Sequence, residues 1–436
     1  MRKIAVMIVA AFCGVFLFGR GPGAGERPGR AGGWTELGPQ GGDIRGIARN
    51  PKSPAELYAV TYSGLVYRST NNGGSWTRKG AVGVEVDDLA IDSKNPSTIY
   101  ALASDGLYKS IDKGASFTKL PFGDVNMGGY GGRIAVHPSN PKIIYVAGIY
   151  IYDTTNWKTC MAVFKTANGG QSWTVKKLDP TSTSGHTYDV VVSPKNPAFI
   201  YACGASYLGN GCQARVFRST NGGQTWKNIT PGFMNPDLYN YAYAIVADPS
   251  NAGRVFVAYS RGIAGTSNSG ATWENQASPA YMYAYAVAIS KSASDTLYAG
   301  AEKTLYKSTD GGKNWTALTH GLFGAARKIL VQGKILHFAS AAGIFKSTNG
   351  GEQFAPGHKG VLAADITGFV LHRAVSGALD GGTGTLYAAA NGYGIFKSTN
   401  GGGAWTKLSE FAGSDWVACL VSPRTDPRRV YVSTYG

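Results

Sequence analysis

Four carboxylates, Asp43, Asp88, Asp105 and Asp189, stand at places in the chain where acid–base chemistry could assemble. Asp43, Glu85, Asp365 and Asp415 occupy one position of a recurring unit, three or four residues before the centre of its first apolar run. Asp88 and Asp189 coincide one turn further in, and Arg133 takes that place in the unit between them. Clustered carboxylates can supply an acid and a base, or bind a hard cation. The same residues can instead cap the turns that lead into strands, because Asp readily bonds nearby backbone.

Aromatic residues gather in the segments that vary most between units. One insertion, Ile149 to Trp157, brings Tyr150, Tyr152 and Trp157, and another, Ser206 to Asn210, brings Tyr207. Segments leading into first runs add Tyr130, His186, Phe233, Tyr239, Tyr241, Tyr281 and Tyr283. A flat apolar face with a polar edge suits stacking on sugars or contact with a protein, and packing between units is the structural alternative. The six histidines are scattered without metal-ligand spacing, and no phosphate-cradling Gly-Lys-Ser/Thr loop occurs. The expectation is therefore no cofactor and no metal.

The elements that must hold these residues are set by a phrase that returns eight times: Ser/Thr, then Asn/Asp two places on, Gly four on, and Trp/Phe seven on. It reads Ser69-Asn71-Gly73-Trp76, Ser110-Asp112-Gly114-Phe117, Thr166-Asn168-Gly170-Trp173 and Ser219-Asn221-Gly223-Trp226. It continues as Thr266-Asn268-Gly270-Trp273, Ser308-Asp310-Gly312-Trp315, Ser347-Asn349-Gly351-Phe354 and Ser398-Asn400-Gly402-Trp405. The aromatic positions lie 39 to 56 residues apart, so each phrase marks one supersecondary unit of an array. In the second unit, Asp88 to Asp92, Thr98 to Leu102, Gly106 to Ser110 and Phe117 to Leu120 read as four short strands separated by turn signals. Four strands per unit of this size predict an all-β propeller of four-stranded blades, eight corner repeats plus a partial blade.

The formal charge is +16. Much of the excess is built into the repeat, since Arg68, Lys109, Lys165, Arg218, Lys307, Lys346 and Lys397 each directly precede a corner. Spread one per unit, these residues form no focused basic patch, which argues against a nucleic-acid partner. Arg2 and Lys3 precede an apolar run, Ile4 to Phe18, with a plausible cleavage point near Ala24-Gly25. Residues 1–25 thus read as a signal peptide, 26–33 as a Gly/Pro/Arg linker and 34–436 as the propeller. The run is shorter than a membrane-spanning helix needs, so a secreted, periplasmic or cell-surface protein is expected. In such a compartment Cys203 and Cys212 could form a disulfide or stay free.

The phrase resembles the Asp-box, or BNR repeat, over nearly all of residues 34–436. Relatives with this box include sialidases, xyloglucanases, sortilin-type receptors and the propeller factor that assists photosystem II assembly. The resemblance implies that the boxes lie on the turn between third and fourth strands, away from the usual active face, and are structural. A sialidase is expected to carry Arg-Ile-Pro ahead of its boxes; Gly132-Arg133-Ile134-Ala135 lacks the Pro and follows two boxes. A xyloglucanase is expected to carry Thr-Asp-x-Gly-Gly in its first blade, where this chain has Thr61-Tyr62-Ser63-Gly64-Leu65; Asp105 is the nearest match, one unit later. Trp34 to Leu37 copies a fourth strand, while Val417 to Pro423 and Val430 to Thr434 copy a first and a second. Closure by strands from both termini, or a longer array, would account for these pieces, and the stop at Tyr435-Gly436 favours the array. The expected function is an exported, non-catalytic scaffold that binds a polysaccharide or protein through its variable loops. The alternatives are a xyloglucanase-like glycoside hydrolase and a receptor- or assembly-factor-like polypeptide binder.

Overall fold

Short apolar runs broken by Pro- and Gly-containing turns can satisfy their backbone only by pairing with the next run, and they do so as up-and-down antiparallel sheets. A computed structural model describes residues 43–436 except 122–126, 129–131, 154–157, 180–181, 183, 209–210, 238, 277–282, 302–303, 319–325, 341–342, 354, 357–365, 373–384, 391–393, 400–404, 410–415, 422–429 and 436. Blade 1 is built from Ile44–Arg49, Leu57–Thr61, Leu65–Ser69 and Thr77–Ala81, paired in chain order. The first strands of blades 2 to 7 are Val86–Ile91, Ile134–Val136, Ser184–Val192, Ala242–Ala247, Ala286–Ile289 and Ala326–Gln332.

The fold class is the one read from the sequence, but the ring closes at seven. First strands pack side by side around the circle, and that of blade 7 packs against that of blade 1. Each joint has its own apolar cluster, and the one between blades 7 and 1 joins Leu330, Ala339 and Ile344 to Ile44, Ile47, Leu57 and Trp76. An eighth four-stranded sheet, which begins with Ile366–His372, lies outside this closed circle. Its first strand packs on Trp416–Val421, the first strand of a hairpin completed by Tyr431–Tyr435. Closure by strands from both termini is thus replaced by closure between two complete sheets. Residues 34–37 and the N-terminal apolar run lie outside the described residues.

The repeated corner has the same hydrogen bonds in all seven ring blades. In blade 4, Ser219 Oγ donates to Asn221 Oδ1 at 2.9 Å and accepts the Gly223 amide at 2.8 Å, while Asn221 Oδ1 accepts the Thr225 amide at 2.9 Å. The glycine is left-handed as the sequence predicts, with φ +81° at Gly223. The residue before it is left-handed too, and at three corners that residue is not glycine: Asn72, Lys113 and Ser269.

The antiparallel order places every such corner on one side of the ring, the corner face. The hairpins joining second to third strands, and the starts of the first strands, lie on the opposite loop face. On the corner side a side-chain donor from each blade reaches a main-chain carbonyl of the next. Lys52 bonds Lys94 O, Ser93 bonds Pro138 O, Tyr145 and Lys165 bond Gly222 O, and Arg218 bonds Ser269 O. Arg254 bonds Ser294 O, Tyr298 bonds Gly350 O, and His337 of blade 7 bonds Asn72 O of blade 1. Two of the cations that precede corners, Lys165 and Arg218, are therefore engaged at joints.

Candidate functional site

Irregularity in the first strands decides which side chains meet at the loop-face mouth of the channel. A β-bulge interrupts the pairing between Ile44 and Gly46, Val86 and Asp88, Thr187 and Asp189, Ala242 and Ala244, and Ala326 and Lys328. A bulge adds one residue and re-aims its side chain. The bulged residues are Arg45, Asp87, Tyr188, Tyr243 and Arg327, and Tyr285 holds the same place in blade 6. One step inward comes a second tier of Gly46, Asp88, Arg133, Asp189, Ala244, Ala286 and Lys328. Most of that tier lines a cavity of about 320 Å³ at the centre of the ring.

The second tier is charged but not simply acidic. Asp88 is buried and accepts from Lys328 Nζ at 2.5 Å, from Arg133 Nη1 at 3.3 Å and from the Ile134 amide at 3.1 Å. Burial alone would raise its carboxyl, but Lys328 and Arg133 outweigh burial and hold it below its ordinary value. Arg133 reaches across the channel to the carbonyls of Arg45 in blade 1 and Arg327 in blade 7, so it spans the closing joint from inside. Asp189 accepts the Ile245 amide of the next blade at 3.0 Å and its neighbour Val190 at 2.8 Å. Burial pushes Asp189 up to about 6, against the pull of Arg133. Asp189 binds its own neighbouring backbone at Val190, as the turn-capping alternative expects, whereas the backbone partner of Asp88 is Ile134 of the following blade; both aspartates reach into the blade that follows.

The other two carboxylates part company. Asp43 sits at the mouth, 2.8 Å from Arg45 and 3.7 Å from Arg327 Nε across the closing joint. Arg45 lies over the Tyr62 ring, and a hydrogen bond to Glu85 raises the Tyr62 hydroxyl. Asp105 lies on a hairpin turn of blade 2, where burial raises it but Lys119 at 2.7 Å and the Tyr108 hydroxyl at 3.0 Å hold it low. It does not line the central cavity. Asp365 and Asp415 lie outside the described residues. Among the described residues no group of three or more His, Cys, Asp or Glu could hold a metal ion.

On the other half of the mouth the rings form a continuous ladder across blades 4, 5 and 6. His186 and Tyr188 lie 4.4 Å apart between centroids, Tyr188 and Tyr243 6.0 Å, and Tyr243 and Tyr285 5.0 Å. Tyr241 stacks on Tyr243 at 5.7 Å and hydrogen-bonds the Cys212 sulfur. Tyr207 bonds Tyr188, and Tyr239 and Tyr283 are exposed at the rim. The hairpins of blades 3 and 4, Ile144–Asp153 with Lys158–Thr166 and Ile200–Leu208 with Gly211–Ser219, run four or so residues past the five-residue strands of blade 1. That extension stands about 13 Å above the loop face. Asp179 pins the blade 4 hairpin through Ser206 at 2.7 Å and Arg215 at 2.9 Å.

Of the aromatics singled out in the sequence, Tyr207, Tyr239 and Tyr241 thus belong to this cluster. Tyr150 and the exposed Tyr152 stand on the blade 3 hairpin under Lys177, whose ammonium lies 4.9 and 5.2 Å from their rings. Tyr130, Trp157 and Tyr281 lie outside the described residues. The sequence reading passed over Tyr188, Tyr243 and Tyr285, which form the middle of the ladder. Cys203 and Cys212 are both buried free thiols. Cys212 faces Tyr207 across the hairpin while Cys203 faces Val216, a four-residue offset that puts about 13 Å between them along the strands and forbids a disulfide.

No family model matches the chain. A Paenibacillus xyloglucanase is 26% identical over 292 residues, 64% of this chain and 21% of that protein. A xyloglucanase of Acetivibrio thermocellus is 26% identical over 196 residues, 42% of this chain and 19% of that protein. The chain spans about a fifth of the length of these curated relatives. Among solved structures, YCF48 from Cyanidioschyzon merolae superposes with a TM-score of 0.53 at 16% identity, covering 71% of this chain and 96% of that one. An ancestral GH74 enzyme gives 0.51 at 16%, covering 91% and 66%. The shared property is the fold. Propellers with unlike tasks share it, so the site must argue the function. Among the described residues no helix is long and apolar enough to cross a membrane.

Proposed function

We propose that the loop face of this propeller is a non-catalytic recognition surface for a neutral polysaccharide strand. The observation that carries this reading is the ladder of His186, Tyr188, Tyr241, Tyr243 and Tyr285, which offers stacking faces across three adjacent blades. The raised hairpins of blades 3 and 4 wall one side of it, and the exposed Tyr239 and Tyr283 extend its rim. Asp88 and Asp105 are each held below their ordinary values by Lys or Arg, which leaves them poor proton donors, and Asp43 is ion-paired with Arg45. The xyloglucanase relatives make xyloglucan the first ligand to try. Residues 1–25 are proposed to export the chain, bringing the face to such a polymer.

A second reading follows from Asp189. A carboxyl near 6 is suited to general-acid work, and a partner carboxylate supplied elsewhere would complete a hydrolase. Affinity electrophoresis in xyloglucan, run beside a reducing-end assay, separates the two. Retardation without release, weakened at least fivefold by Tyr283→Ala with Tyr239→Ala, supports the binding surface. Release abolished by Asp189→Asn supports the hydrolase. Neither retardation nor release would overturn both and favour a polypeptide ligand.

A further inference from the structure

The joint between blades 7 and 1 uses a different donor from the rest. The second-strand residue that pairs with the residue just before the corner is Tyr58, Tyr100, Tyr145, Tyr201, Phe256 and Tyr298 in blades 1 to 6, and His337 in blade 7. His337 is fully buried. Its Nε2 lies 3.0 Å from the Asn72 carbonyl, which can only accept, so the proton sits on Nε2. Nδ1 is then left as the acceptor for Arg49 Nη2 at 3.1 Å. Arg49 is fixed from the other side by Asn72 Oδ1 at 2.9 Å and by Pro54 O. The contact has no slack, since a Cβ on Gly73 would stand 2.7 Å from Nε2.

We propose that His337 is an acid-sensitive latch, and that a second proton, taken up at Nδ1, opens the ring at this one joint of seven. An imidazolium has two N–H donors and no lone pair, so it would set a donor against the Arg49 guanidinium, which never deprotonates. The charged groups that bear on the ring are Arg49, from the first strand of blade 1, and Lys346, from the third strand of blade 7. Both are cations and both oppose the added charge. The nearby carboxylate Glu56 is already engaged by Asn50, Tyr58 and Arg68. Burial, with Arg49 and Lys346, pushes the His337 imidazole down to about 4. The sign is that of a depressed base: the latch holds above the ordinary histidine range and weakens as pH falls below it. The joints from blade 3 to 4 and from 6 to 7 use tyrosine hydroxyls, which do not titrate there.

Hydrogen exchange followed by mass spectrometry tests this on the full chain. Peptides covering residues 69–76 and 219–226 report the acceptor corners of the closing joint and of the blade 3–4 joint. Between pH 7 and pH 4.5, after correction for intrinsic exchange, opening at 69–76 should rise at least tenfold relative to 219–226. His337→Gln can donate to Asn72 and accept from Arg49 but cannot titrate, so it should abolish the rise. An equal rise at both corners in the wild-type chain would overturn the latch, whether or not the variant folds. So would an unchanged rise in a folded His337→Gln chain.

Discussion

At the scale of single residues, Asp189 is the group whose charge the fold resists most visibly. Its carboxyl is raised to about 6, so the native state binds a proton more readily than the unfolded chain does. Stability therefore falls as pH rises from the unfolded value through 6, and the charged form at pH 8 is the less stable one. Asp189→Asn keeps an oxygen for the Ile245 amide and removes that cost. We expect it to stabilise the ring by about 1 kcal/mol at pH 8, a figure discounted for water in the channel, with the gain vanishing by pH 4. Thermal melts at the two pH values measure this, and a destabilised variant at pH 8 would contradict it. The coincidence of Asp88, Arg133 and Asp189 was readable because aligned units put them in one column. The ladder was half readable. Five of the seven first strands carry a bulge that no residue type announces, and in blades 4 and 5 the extra residue breaks the alternation that would have nominated Tyr188 and Tyr243.

At the scale of elements, the corners separate two costs that usually travel together. Gly169 and Gly170 are consecutive left-handed residues in blade 3, at φ +75° and +95°. Nothing lies within 4 Å of a Cβ built on Gly169, while one on Gly170 would stand 2.5 Å from Leu120 Cδ1. Gly169→Ala should cost only the backbone strain, about 1 kcal/mol. Gly170→Ala should cost about 2–4 kcal/mol, because Leu120 belongs to the packed joint and must move. Exchange protection in blade 3 would rank them, and equal losses would show that the corner yields as a unit. The Asn-x-Gly signal gave the turn and one left-handed residue. The second was hidden, because Asn72, Lys113 and Ser269 carry no common chemistry and only the surrounding bonds force them there. Strand register also lay beyond spacing, as the separation of Cys203 from Cys212 shows.

At the scale of the whole molecule, eight corners were legible and seven blades were not. A repeat count says how many sheets exist, whereas closure depends on the twist accumulated between them. The seam has its own cluster, its Arg133 bridge and its His337 bond, so the ring closes on contacts among its own seven blades. A chain ending at residue 356 should therefore keep the ring's thermal transition within about 3 °C, the shift that under ~1 kcal/mol produces in a domain of this size. Calorimetry of that truncation decides it, and loss of the ring transition would mean that the seam needs outside support.

Every corner-side joint includes a bond to a peptide oxygen of the neighbouring blade. A peptide oxygen survives any substitution at its own residue. At those bonds a unit can change its acceptor residue with no compensating change in the donor across the boundary. Such a ring can explore new ligands one unit at a time.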